Sequence, residues 1–288
     1  MKKAQVIVVA GPTASGKSDF AVALALQNNG EIISADSRQV YKGLDIGTGK
    51  ITHQEMKGVV HHMLDVFDVE DEVSVVTYQE MALPIMKDII ARGKIPIVCG
   101  GTGQYIDALI YDQALPQVPP NHTLRHVLEN KLTEELVEEL QKLDPHRLQA
   151  IGNHNRVRLI RAIEISRALG TVPQLEVPKL RFPTTMYIMH PTRKILHERI
   201  TARLHKRFKE GMIEEVQGLI KKGITHKQLE RLGLEYKYIS LFLRGELTKE
   251  EMTTQLEFKT NQYGKRQETW LKKYLKDSRI LLHVMEVK

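Results

Sequence analysis

The chain has 288 residues, of which 42% are hydrophobic and 27% charged, a composition that excludes wholesale disorder and leaves room for more than one buried core. Its formal net charge of +7 favours a polyanionic partner, nucleic acid or an anionic small substrate, without choosing between them.

The first residues, Met1-Lys2-Lys3, resemble a signal peptide in charge only and lead straight into the apolar run Val6-Ile7-Val8-Val9-Ala10, which predicts a buried strand. Next come Gly11-Pro12-Thr13-Ala14-Ser15-Gly16-Lys17-Ser18 and a helical stretch from Asp19 to Gln27. Strand, loop and helix carry the complete phosphate-loop spacing G-x-x-x-x-G-K-[ST]. Gly11 and Gly16 permit turns that a Cβ obstructs, and the loop N–H groups form an anion nest beside the positive end of the helix. Lys17 offers a point charge to phosphate oxygens, and Ser18 offers a hydroxyl to Mg²⁺. The pattern predicts a bound phosphate chain rather than a plain tight turn. It leaves open whether that chain belongs to a nucleoside triphosphate.

The helix is expected to end at Asn28-Asn29-Gly30. A second buried strand, from Glu31 to Ala35, finishes at Asp36-Ser37-Arg38-Gln39. Strand ends beside a phosphate loop are where α/β sheets bind ligands. Asp36 is therefore a candidate metal-linked carboxylate or general base, with a turn aspartate as the alternative. The glycine-rich stretch from Val40 to Lys50 reads as a long loop near the site. His61 to Val66 reads as an extended piece. Its adjacent histidines point to opposite faces, which suits a structural role better than joint metal ligation.

Ser74 to Arg92 predicts a helix with Val76, Met81, Ile85, Ile89 and Ile90 apolar and a kink or break at Pro84. Ile95 to Cys99 predicts a third buried strand. Its cysteine, the only one, reads as a buried reduced thiol and excludes a disulfide framework or cysteine-based metal site within one chain. Gly100-Gly101-Thr102-Gly103 is a second glycine-rich turn at a strand end, suited to close ligand approach or simply to a tight turn into the next helix. The composition breaks at Leu115 to Pro120, and from there to about Leu180 the pattern is helical. Asn155 to Leu169 is amphipathic, with Val157 and Leu169 among its apolar positions. Arg156, Arg158, Arg161 and Arg167 decorate it, either as solvated charges or for phosphate-backbone contact.

After a linker from Thr171 to Pro183, Thr185 to Met189 predicts a strand. In the helix from Thr192 to Phe208, Arg199, Arg203 and Arg207 recur every four residues beside the apolar stripe Leu196, Ile200, Leu204 and Phe208. That flank is a cationic ridge, a solvated face or an anion site. Helices are expected over Gly211 to Gly223, Leu234 to Leu243 and Lys249 to Tyr274. Gly264 inside the last marks close packing or a bend. Ile280 to Val284 is expected to be the last strand. No uninterrupted apolar run approaches the roughly 20 residues of a membrane span, so no membrane partner is expected.

The ordered set GPTASGKS, ISADSRQVYKGLDIGTGK, HHMLD, GGTGQY, RLIRAIE, the Arg199/Arg203 helix, GLEY and KRQETW resembles the tRNA dimethylallyltransferases (tRNA isopentenyltransferases) over nearly the whole chain. The resemblance implies an α/β fold: a P-loop NTPase-like core with a parallel sheet flanked by helices, plus an all-helical insertion domain. The core is expected over 1–114 and 181–288, and the insertion, gripping the tRNA anticodon stem-loop, over 115–180. The implied reaction transfers a dimethylallyl group from dimethylallyl diphosphate to N6 of the adenosine just 3′ of the anticodon, with Mg²⁺. The base is flipped from its stack into a channel, since a stacked base edge cannot meet a small electrophile.

Roles carry over by position. Gly11, Pro12, Thr13, Ala14, Ser15, Gly16, Lys17 and Ser18 are implied to hold the diphosphate, with Ser18 on Mg²⁺. Asp36 is the implied base, and Thr102 positions the adenine or diphosphate. Arg203 stabilises the departing diphosphate with Arg199 in support. Asp36, Ser37, Arg38, Gln39, Thr102, Arg125 and Arg158 are the implied tRNA contacts. Around His154-Asn155-Arg156-Val157-Arg158 only Arg158 matches the family securely, and the linker from Thr171 to Pro183 is short for it. A bacterial-type, cytoplasmic monomer is expected. A P-loop kinase of small molecules or nucleosides explains the loop equally well and the basic insertion poorly. A non-catalytic RNA-binding protein leaves the Mg²⁺ site unexplained.

Overall fold

The computed structural model describes residues 5–113, 115–172 and 178–287, so the first residues and the middle of the linker expected after Thr171 lie outside the described residues. The chain divides into two compact units, one formed by 1–112 and 180–288 and the other by 113–179.

In the first part of the larger unit, strands β1 (Val6–Ala10), β2 (Gly30–Ser34), β3 (His61–His62) and β4 (Ile95–Gly100) alternate with helices α1 (Lys17–Asn28), α2 (His53–Met56) and α3 (Val75–Ala91). Helix α4 (Gly103–Ile110) and the short β5 (Tyr111–Asp112) close that part. The smaller unit holds α5 (His122–Glu129), α6 (Thr133–Leu143), α7 (Pro145–Ile151) and α8 (Arg156–Leu169). After β6 (Lys179–Leu180) come β7 (Thr184–Pro191), α9 (Arg193–Lys209), α10 (Met212–Lys221), α11 (His226–Arg231), α12 (Leu234–Leu243), α13 (Lys249–Leu271) and β8 (Leu281–Val287).

The main sheet runs β3-β2-β4-β1-β7-β8, every pair parallel. Both faces are covered, as parallel sheets require. Val6, Val8 and Ala10 point into one core, with α3, α4 and the C-terminal helices. Ile7 and Val9 point into the other, with Ala21, Val22 and Ala25 of α1. The register aligns Ala10 with Gly100 and Ser34 with Cys99. The phosphate loop, the Asp36 turn and the GGTG turn therefore leave the sheet side by side at its C-terminal edge, where α/β folds bind ligands.

Several local expectations change. Asn29, not Gly30, takes the left-handed cap conformation (φ 48°), and Gly30 opens β2. Gly30 is still required, because a Cβ there would lie 2.9 Å from the Ile95 carbonyl oxygen. The extended piece stops after His62, since Met63 and Asp65 have positive φ. Helix α3 runs through Pro84, and its buried face is Tyr78, Ala82, Met86 and Ile89. Of the apolar positions expected to face the core, Ile89 is buried, Val76, Ile85 and Ile90 are half-buried and Met81 is exposed. On α8, Val157 and Leu169 are likewise exposed, while Leu159, Ile160 and Ile163 are buried. His122 to Leu143, where one helix or two is expected, forms two, α5 and α6, and α11 was not anticipated.

The smaller unit packs Leu128, Leu136, Leu140, Leu159 and Ile163 into its own core. Its buried Glu164 carboxylate binds the Arg125 guanidinium at 2.9 and 2.8 Å, Arg161 at 3.0 Å and the Asn121 N–H at 2.7 Å. Among the described residues no helix is long and apolar enough to cross a membrane.

Candidate active site

The phosphate loop has the strained geometry its sequence predicts. Ala14 and Gly16 have positive φ, and a Cβ on Gly11 would lie 2.6 Å from Ser15 Oγ. Lys17 lies back along the loop, its Nζ donating to the Pro12 carbonyl at 3.3 Å. Burial pushes the ammonium below its ordinary pKa, and the neighbouring charge of Asp36 opposes that shift. Ser15 Oγ is buried without a hydrogen-bond partner.

Two later helices close on the loop. From α9, Arg203 donates through Nη2 to Thr13 Oγ1. Burial, helped by the charge of Arg207, lowers its pKa to about 9, which leaves the guanidinium charged at neutral pH. Arg199, one turn earlier, lies near Gly16. From α13, Gln267 Oε1 accepts the Thr13 N–H at 2.9 Å, and Nε2 donates to the Gly101 carbonyl at 3.0 Å. One buried amide thus ties the phosphate loop to the GGTG turn.

The third wall is the Asp36 turn. Asp36 Oδ1 accepts the N–H groups of Arg38 at 2.9 Å and Gln39 at 3.4 Å, an arrangement that leaves Oδ2 without a contact from this turn. The Ser37 N–H donates to Thr102 Oγ1 at 3.0 Å. The Gly47 loop forms the fourth side. Its N–H groups at Asp45, Ile46 and Gly47 converge on the Glu215 carboxylate. Lys50 pairs with Asp45 at 2.6 Å and Asp65 at 2.5 Å.

These walls enclose a cleft of about 660 Å³, measured out to solvent. Thr13, Lys17, Ser18 and Arg203 line it together with Asp36, Gln39, Gly49, Tyr263 and Gln267. Burial raises the Tyr263 hydroxyl to about 12, so it is a neutral phenol. Cys99 also reaches the cleft, but burial raises its thiol to about 11 and makes it inert at neutral pH.

The cleft brings together Thr13, Lys17 and Ser18 of the loop with Asp36, Gln39 and Arg203, while Ser37, Arg38, Thr102 and Arg199 stand behind its lining. Arg125 and Arg158 lie in the smaller unit, the first paired with Glu164 and the second exposed. The cationic ridge of α9 is not a solvated face: Arg203 points at the loop, and Arg207 is buried against the Gly47 carbonyl. His61 and His62 take separate partners, the Val59 carbonyl and the Glu31 carboxylate. The sequence reading did not assign Gln267 and Glu215. For Gln267 a signal existed: Tyr263, Gly264 and Gln267 fall on one helical face, and Gly264 packs against Pro12 and Leu196.

Among the described residues no cluster of three or more histidine, cysteine or acidic side chains could hold a metal ion. Mg²⁺ needs no such cluster, because it keeps several waters and takes ligand phosphates. The exposed Ser18 hydroxyl and the Asp36 carboxylate on one cleft fit that donor set.

A parallel sheet with a phosphate loop at its C-terminal edge and a carboxylate on the adjoining strand end defines a P-loop α/β protein with a site for a phosphate-bearing ligand. A family model described as IPP transferase matches residues 39–274. A tRNA dimethylallyltransferase of an Exiguobacterium species is 38% identical over 276 residues, covering 94% of this chain and 88% of that one. The crystal structure of a tRNA isopentenylpyrophosphate transferase from Bacillus halodurans superposes with a TM-score of 0.72 at 35% identity, covering 100% of this chain and 92% of that one. A eukaryotic dimethylallyltransferase captured acting on tRNA superposes at 0.83 with 27% identity, covering 98% of this chain and 74% of that one. The chain belongs to the IPP transferase family, whose curated relatives are named as enzymes.

Proposed function

We propose that this chain transfers a dimethylallyl group from dimethylallyl diphosphate to N6 of the adenosine just 3′ of a tRNA anticodon. The observation that carries this reading is the single cleft in which Thr13, Lys17, Ser18 and Arg203 face Asp36. Family membership favours it over the kinase alternative.

The diphosphate lies in the loop nest, against the first-turn N–H groups of α1 and the Lys17 ammonium. Arg203, fixed on Thr13, meets the charge that develops as the allylic C–O bond breaks. The adenine N6 is a poor nucleophile because its lone pair is delocalised into the ring. Asp36 accepts its proton as the N–C bond forms, and its turn already holds Oδ1 by two backbone donors. The electron pair of the broken C–O bond leaves with the diphosphate. Mg²⁺ on Ser18 would neutralise further phosphate charge. Thr102 positions the base through the Asp36 turn.

The flipped adenosine enters beside Ser37, Arg38 and Gln39, and the helical segment 115–180, with Arg125 and Arg158, grips the anticodon stem-loop. The chain acts as a cytoplasmic monomer. Incubation with unmodified tRNA, dimethylallyl diphosphate and Mg²⁺, followed by mass spectrometry of the nucleosides, tests the reading. Prenylated adenosine is expected.

A further inference from the structure

Arg207 is 6% exposed, yet the reaction as derived does not use it. Its Nη1 donates to the Gly47 carbonyl at 3.1 Å and reaches Glu235 at 3.4 Å. Its Nη2 is buried and has no hydrogen-bond partner. Nη2 lies where a Cβ on Gly49 would be, and Gly49 has φ +60° and lines the cleft. Only a glycine leaves room there, so the guanidinium stands directly behind the cleft wall.

Its surroundings hold two further cations. Arg203, one turn back on α9, and Lys17 on the loop are both near enough for the Arg207 charge to depress their pKa values. Glu215 of α10, which caps this loop, is already engaged by three backbone N–H groups and the Tyr236 hydroxyl. That leaves Glu235, at the long distance of 3.4 Å, and Asp36 on the cleft, whose charge also reaches Lys17 and Arg203. Burying a guanidinium beside two cations, with one donor unmet, is unfavourable unless an anion completes the group. A preorganised, buried guanidinium with an unmet donor stabilises a polyanion that enters the cleft.

We propose that Arg207 is a third cation of the diphosphate site, acting on the leaving group across Gly49. The inference rests on the prenyl-transfer reading and deepens it. Arg207 does not touch the reacting atoms. It is a positioning residue that holds the Gly47–Gly49 wall and adds charge behind it.

The test separates charge from packing. Calorimetry with inorganic diphosphate and Mg²⁺ is run on the full chain and on Arg207→Met, Arg207→Lys and Glu235→Gln, with tRNA affinity and single-turnover rate measured in parallel. Arg207→Met is expected to weaken diphosphate binding about tenfold and flatten its salt dependence, and Arg207→Lys to recover most of the loss. tRNA affinity is expected to stay within about twofold, since its backbone contacts lie elsewhere. Glu235→Gln, which removes the counter-charge, is expected to tighten diphosphate binding, and this arm stands even if Arg207→Met fails to fold. Equal losses in the Met and Lys variants, or a looser Glu235→Gln site, would reduce Arg207 to a loop anchor and overturn the proposal. A wild-type chain that binds no diphosphate overturns the prenyl-transfer reading itself.

Discussion

The hydroxyl of Thr102 accepts the Ser37 N–H at 3.0 Å, while the Thr102 N–H donates to the Ala35 carbonyl at 3.0 Å. These two bonds pin the chain on either side of Asp36 to the second glycine turn. Thr102→Val keeps the shape and removes the acceptor, leaving the Ser37 N–H unmet. A carboxylate displaced by a fraction of an ångström is expected to slow the single-turnover rate by about 10- to 100-fold. Diphosphate binding is expected to hold, and Thr102→Ser to retain most of the rate. An unchanged rate for the valine variant would remove Thr102 from the positioning role.

Two glycines of the site predict opposite outcomes. The Trp270 ring occupies the place of a Cβ on Gly103, so Gly103→Ala must displace the ring or the start of α4. A loss of about 1–3 kcal/mol is expected. Gly264 lies mid-helix, and a Cβ there would meet Leu196 at 3.5 Å and Pro12 at 3.9 Å, ordinary packing distances. Gly264→Ala is expected to be neutral or to stabilise by up to about 1 kcal/mol. Thermal melts of the two variants check the order, and the reverse order contradicts it.

Glu31, 3% exposed near the start of β2, is bound by Arg92 at 2.8 Å, Lys94 at 2.7 Å and His62 at 2.8 Å. The Arg92 hydrogen bond, followed by those from Lys94 and His62, holds its carboxyl far below the ordinary range. With the folded pKa depressed, the stabilisation is complete above the unfolded value, about 4.3, and fades as pH falls below it. Glu31→Gln is expected to cost about 2 kcal/mol at neutral pH, because its partners are half-exposed, and progressively less in acid. Melting temperatures of both proteins between pH 7 and pH 3 check this, and parallel curves would contradict it.

The phosphate loop and the strand ends were legible in the sequence, because each rests on local spacing or an apolar run, whereas the parallel sheet came from the family resemblance. The face that α3 buries was legible only in part: Ile89 was among the apolar positions, but Tyr78, Ala82 and Met86, which pack beside it, stand out less by residue type. Arg207 was visible in the four-residue step of α9, but its burial depends on the Gly47–Gly49 loop, 160 positions away along the chain. Gln267 carries no chemistry that its residue type announces. Its role appears only when Thr13 and Gly101 come to either end of its amide.

We propose that this cleft alkylates a tRNA adenosine with Asp36 as the proton acceptor. Asp36→Asn keeps an oxygen for the Arg38 N–H, so the turn is expected to survive. The decisive measurement is a single-turnover time course of prenylated adenosine, read by mass spectrometry, for the wild type and Asp36→Asn on unmodified tRNA. The wild type is expected to form product, and the variant to bind tRNA normally while turning over about 10²- to 10⁴-fold more slowly. Equal rates would remove Asp36 from the chemistry, and no product from the wild type, with ATP consumed on a small acceptor instead, would contradict the account as a whole.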